Sequence, residues 1–272
     1  MTEQPIQAPV AVVENPLLAK VKIPGRDFQL PSMGYLYQGE LNGNVDQGEL
    51  HVHPMNALAE IKMKNPDLLF SGQAFEEVIR ECVPGVYQPM ELYGKDVDAI
   101  MCFIRVVTYG NEFEINANHQ CENGKDRTYT IDVQGIIDNM KLLDPSTLED
   151  NYIITLENGQ KVQLEPVRLR HVVDLLQSST KNSGQAPTHE EVQNNLMSNL
   201  LNMIHSVDGI TDKAQIAEWV KQVPATYINR IGDKMAAANN WGPNFEQQVK
   251  CPDCGEDFLV ELPVNPVHFF SE

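Results

Sequence analysis

Two cysteines near the chain end, Cys251 and Cys254 in "VKCPDCGEDFLVEL", have the spacing of half a metal site. The tight Cys-x-x-Cys turn aims two thiolates at one ion, and the glycine after it lets backbone amides face the sulfurs. A structural zinc takes four ligands, so two more must come from elsewhere. The loop "NHQCENGKD" offers His119 and Cys121, and it repeats the knuckle's layout of cysteine, turn, glycine and alternating strand. Cys121, Cys251, Cys254 and His119 give three thiolates and one imidazole, a donor set of the softness zinc prefers. His268 in "NPVHFF" is the rival for the fourth place. Such a site is structural, because four protein ligands leave no open position for a reacting water. A redox role for the Cys-x-x-Cys pair would need a thioredoxin-like βαβ context, which is missing.

The other candidates read as packing or solvation. Cys82 and Cys102 lie in apolar helical text and read as small buried hydrophobes. His51 and His53 alternate with Leu50 and Val52, so both fall on one strand face, and a solvated face explains them. Glu76-Glu77 and Glu190-Glu191 sit on expected helix surfaces. His171 and His205 are placed inside amphipathic helices. No GxGxxG, Walker A, GxSxG or HExxH pattern occurs, so no enzyme is expected.

Composition narrows the partners. The chain has 272 residues, 42% of them apolar, with 38 Asp and Glu against 20 Lys and Arg, for a net charge of −18. So acidic a surface repels phosphate backbones and anionic lipid and favours basic protein partners. Five cysteines and no basic, apolar leader point to a cytosolic protein without disulfides. No apolar run is long enough to span a bilayer.

The elements that must hold the candidate site follow from periodicity. Residues 1–22 read as a flexible arm, and "LPSMGYLY" as a turn at Gly34 leading into a strand through Tyr35–Tyr37. A strand is expected at "GELHVHPM". Helices are expected after Asn56, over "QAFEEVIRECV" and over "KDVDAIMCFIRVVTYG". "EFEINANHQC" and "RTYTIDV" form a hairpin. A second hairpin turns at Asn158-Gly159 as type I′. Helices then follow: one over 169–180, one capped by Thr188 and reaching His205, one capped by Thr211 and one opened by Pro224, with a polar linker at 181–188. The fold class is α+β. A mixed domain of short strands and three helices spans 23–165, a helical region 166–245, and a zinc-knuckle tail 246–272 returns to the first domain.

The order of Leu30-Pro31-Ser32 with Gly34 and Tyr37, His53-Pro54-Met55, Asp96, Ile104-Arg105, Thr108-Tyr109-Gly110 and the Cys121 strand resembles the baseplate hub and hub assembly proteins of T-even-type myophages. The resemblance covers about residues 28–165. Relatives tend to show a Cys-x-x-Cys pair where this chain has Cys121 alone, which fits completion of the set by Cys251 and Cys254. It implies a non-enzymatic late protein, an assembly chaperone of contractile tails acting in baseplate central hub assembly. It would bind other hub proteins and the tape-measure protein, in the host cytoplasm and then in the virion baseplate. No small-molecule substrate, nucleic acid or membrane is expected. The competing reading is a zinc-ribbon adaptor in transcription or nucleic-acid processing, which the −18 charge disfavours.

Overall fold

The computed structural model describes residues 24–37, 45, 48–119, 121, 125–180, 188–263 and 269–270. The arm at 1–22, the linker at 181–187 and His268 lie outside these residues. The architecture is α+β, with helices packed among small antiparallel sheets.

The first core is built around α4 (Gly94–Tyr109). Ten of its residues are buried, from Asp96 to Val106, so it is enclosed on nearly every side. Gly110, at φ +90°, ends it. The short hairpin of β1 (Arg26–Gln29) and β2 (Glu49–Val52) lays Phe28 on Phe103, with ring centroids 4.6 Å apart. α1 (Ala57–Met63), α2 (Pro66–Phe70) and α3 (Gln73–Cys82) cover the same core. Asn56 caps α1 by accepting from the Ala59 amide, and Asn65 caps α2. Cys82 and Cys102 are buried, and burial pushes the Cys82 thiol up to about 12 and that of Cys102 higher still.

The hairpin of β3 (Glu112–Asn118) and β4 (Asp126–Asp132) follows α4, and the short helices α5 (Val133–Asp138) and α6 (Leu148–Asn151) come after it. Phe113 faces Ile131 and Ile115 faces Tyr129, all four turned into the first core. A second hairpin, β8 (Glu246–Lys250) and β9 (Asp257–Glu261), comes from the far end of the chain. It adds Val260 and Leu262 to that core, and Phe269 and Phe270 follow. Phe269 lies 5.4 Å from the Phe113 ring, and the Tyr109 hydroxyl donates to the Phe270 carbonyl at 3.1 Å.

A second core gathers β5 (Ile153–Thr155), β6 (Lys161–Leu164), β7 (Ile204–Val207), α9 (Lys213–Gln222) and α10 (Ala225–Ala238). α7 (Leu169–Thr180) returns Leu169 and Val173 to the first core, and α8 (His189–Met203) leads into β7. Arg168 lies at the junction. Its guanidinium donates to Glu165 (Nε, 2.9 Å), the Glu91 carbonyl (2.9 Å) and the Tyr93 hydroxyl (2.8 Å).

Several local expectations are corrected. Residues 31–36 form turns and the strand precedes them as β1, because Met33 and Gly34 both take positive φ, which breaks an extended run. The helix expected after Asn56 forms as α1, which buries Ala59 and Met63 and turns Leu58 and Ile61 outward. The turn between β5 and β6 is not type I′. Only Gly159 has positive φ, and the Gly159 amide donates to Leu156 within a three-residue loop. His205 is not helical: it lies on β7, where pairing with β6 draws the chain into a sheet. The cap of α9 is Asp212, which accepts from the Gln215 amide, rather than Thr211.

One buried node makes a pH prediction. Asp96 is fully buried, accepts from the Ser32 amide (3.1 Å) and the Tyr37 hydroxyl (2.7 Å), and burial raises its pKa to about 6. Neighbouring Asp98 is also raised to about 6 by burial, with Lys95 opposing. The native state therefore keeps a proton on Asp96 that the unfolded chain has released. From about pH 4 to about pH 6 stability falls as pH rises, and above that window the contribution is level. The drop attributable to Asp96 is about 3 kcal/mol. Urea unfolding from pH 4 to pH 7 should show it, and Asp96→Asn should remove about half of the slope, leaving the part due to Asp98, whatever its effect on absolute stability. An unchanged slope in that variant would refute the assignment.

Candidate metal centre

The candidate centre is made by two hairpin tips that meet. β3 ends at Asn118, and His119 and Cys121 begin its loop. β8 ends at Lys250, and Cys251 to Cys254 form the turn before β9. The ligand atoms of His119, Cys121, Cys251 and Cys254 all lie within 4.8 Å of one another. Cys254 Sγ and His119 Nδ1 are 3.5 Å apart. With Zn–S near 2.3 Å and Zn–N near 2.05 Å, the edge between a thiolate and an imidazole in a tetrahedral site is about 3.6 Å. The four residues thus fit zinc in number, softness and spacing.

The knuckle is shaped by its own backbone. The Cys251 amide donates to the Glu256 carbonyl at 2.8 Å, and the Gly255 amide donates to the Cys251 carbonyl at 2.9 Å. Gly255 has φ +78°, which favours glycine even though space around it is open. The amide of Cys254, with help from that of Asp253, holds the Cys251 thiol down at about 6 against the opposing effect of burial. For Cys254 the Glu256 amide pulls down, but burial and the thiols of Cys251 and Cys121 push its pKa up overall. A cation among these sulfurs relieves that repulsion.

Three further residues support the centre, and sequence reasoning did not single them out. Arg127 on β4 forks onto Asp253, with Nη2 at 2.7 Å and Nε at 3.2 Å from its carboxylate. Phe258 stacks on the His119 ring at a centroid distance of 4.6 Å and meets Tyr129 edge-on at 5.5 Å. The alternation of β9 was a signal for Phe258 as an inward residue, but its use as a platform for an imidazole needed the fold. Arg127–Asp253 joins residues 126 positions apart, which no local pattern reveals.

The other histidines are placed apart from the centre. His51 pairs with Asp27 at 2.7 Å and its ring meets that of His53 at 4.8 Å on an open strand face. Glu76 pairs with Arg80 and Glu77 with Lys62, as solvated helix acids do. Among the described residues, no helix is long and apolar enough to cross a membrane.

A model of the family described as T4 bacteriophage base plate protein matches residues 51–271, about four-fifths of the chain. The chain belongs to this family. No curated protein and no solved structure matches it. The match takes in the helical segment and the knuckle, beyond the 28–165 stretch that carried the resemblance, and it includes all four residues of the candidate centre. Membership makes this a phage baseplate protein that associates with other baseplate proteins.

Proposed function

We propose that this baseplate protein is a non-enzymatic subunit or assembly factor of the central hub, holding other hub proteins and the tape-measure protein together while the tail is built. Family membership over residues 51–271 is the observation that carries the reading. The acidic surface supports it, since a net charge of −18 favours basic protein segments over nucleic acid. Assembly in the host cytoplasm and retention in the virion baseplate belong to the same proposal.

Zinc is proposed as the resident ion, held by Cys121, Cys251, Cys254 and His119. Bound there it supplies a cross-link and no chemistry, because all four positions are filled by protein. A division into a first domain at 23–165, a helical region at 166–245 and a clasp at 246–272 is proposed as the order along the chain, although packing crosses its first boundary: Tyr152–Leu164 join the second core, and Leu169 and Val173 the first.

The test is capture of the tagged chain from phage-infected cells, followed by identification of what comes with it. Hub and tape-measure proteins are expected at stoichiometric levels. Recovery of only outer baseplate components would overturn the hub assignment, and recovery of no phage protein would overturn the assembly role.

A further inference from the structure

The two hairpins that carry the candidate metal ligands also leave a groove between them. It has a volume of about 340 Å³ and is lined by β3 from Phe113 to Asn118 and by β9 from Phe258 to Glu261, with Pro263 at one end. Among the described residues each strand has a partner on one side only, β4 for β3 and β8 for β9.

The registers fix which backbone groups face the groove. The Val133 amide donates to Asn111, so pairs 113/131, 115/129 and 117/127 exchange ladder bonds. The amides and carbonyls of Glu114 and Asn116 therefore point away from β4. On the other hairpin, Cys251 bonds Glu256 and Leu262 bonds Phe245, so pairs 249/258 and 247/260 carry the ladder. Those of Leu259 and Glu261 point away from β8. None of these four backbone edges pairs with another strand among the described residues. All four residues line the groove.

The side chains set what fits. Phe113, Ile115 and Val260 are buried and Phe258 half-buried, giving an apolar floor. Glu114 and Glu261 are exposed on the outer face, and Leu259 beside them is 66% exposed. An extended segment entering here would set every second side chain on the floor and the others between the two glutamates.

We infer that the groove between β3 and β9 is a strand-addition site for an extended segment of another baseplate protein, with apolar residues alternating with Lys or Arg. The incoming strand would bond both free edges and join the two hairpins into one sheet. The candidate metal centre ties the tips of the same hairpins and so holds the groove walls in register. The proposed hub role enters only in naming the partner as a baseplate protein; the groove itself stands on geometry.

The test uses two labelled hexapeptides, Lys-Val-Lys-Val-Lys-Val and Glu-Val-Glu-Val-Glu-Val, titrated against the full chain by fluorescence anisotropy. The basic peptide should bind saturably and about tenfold more tightly than the acidic one, the scale of two exposed ion pairs. Leu259→Pro removes an amide that faces the groove and takes no part in the β8 ladder, and it should abolish binding while Leu259→Thr retains it. Glu114→Lys with Glu261→Lys alters no backbone group and should reverse the preference between peptides. Equal binding of both peptides by the wild-type chain, or an unreversed preference in the double variant, would overturn the proposal. If the basic peptide binds only after residues 1–22 are removed, the groove belongs to the chain's own arm and the separate partner is ruled out. Failure of peptide binding beside intact capture of hub proteins would remove the groove and leave the hub role standing.

Discussion

Cys251→Ser is expected to empty the candidate centre, lowering bound zinc from about one ion per chain to near none. Serine keeps the size of the side chain but its hydroxyl does not ionise near neutral pH, so the ion would keep only three strong donors. Cys251 is also the best prepared of the set, at 1% exposure and with amides already turned toward its sulfur. Structural zinc in small domains is worth about 10–16 kcal/mol of apparent binding energy, which is as large as the whole stability of a typical domain. The loss should nevertheless be regional. The second core, built on β5–β7, α9 and α10, shares no residue with the centre. Hydrogen exchange should therefore show residues 246–261 losing protection while 153–164 and 204–207 keep theirs. Cys82→Ala, at a buried thiol outside the cluster, is the control and should leave zinc content unchanged. Unaltered zinc in the Cys251→Ser protein would end the four-ligand assignment.

Phe269→Ala should destabilise the protein by about 3–5 kcal/mol without changing its zinc content. Phe269 has no exposed surface, packs on Phe113 and stands 5.3 Å from Phe270, so truncation opens a cavity in the first core. Urea midpoints give the stability change, and zinc per folded chain is the second readout. The pair of variants separates two fastenings of the same tail. One is coordination at the hairpin tips; the other is aromatic packing beyond β9. If Phe269→Ala shifts the midpoint by less than about 1 kcal/mol, the tail does not contribute to the first core as described.

The parts of the fold that could be read from sequence are those with one strong period. α3 and α4 have apolar residues at helical spacing, and β3–β4 alternates cleanly, so all were placed from text. The resemblance residues turn out to be knots rather than surfaces. Ser32, Gly34, Tyr37 and Asp96 form one hydrogen-bonded node, and the Met55 amide donates to Thr108, which donates on to Ile104. Their order in the chain places them where these buried and part-buried hydrogen bonds tie distant segments together. β7 was missed because "IHSV" carries no alternation strong enough to end a preceding helix, and only pairing with β6 makes it a strand. The outward turn of Leu58 and Ile61 is not legible in the sequence, because apolar text does not say which face meets α3. The three cysteines of the candidate centre were legible because thiolate chemistry restricts the choices to five cysteines in the whole chain, whereas the sequence left the fourth place between His119 and His268. Arg127, Asp253 and Phe258 were not, since each acts through a neighbour more than a hundred positions away.

The meeting of Cys121 with Cys251 also sets a clock on biosynthesis. Those residues leave the ribosome 130 positions apart, an interval of roughly 7–26 s at bacterial elongation rates. Throughout that interval α4 and the β3–β4 hairpin exist without Phe269 and Phe270, and the half-site at His119 and Cys121 has nothing to close on. The first core thus ripens last although its sequence comes first. A chain released early would expose that unfinished core, whereas a chain that reaches its tail covers it with Phe269 and Phe270. The distance between two cysteines thus sets how long the first core waits for its last residues.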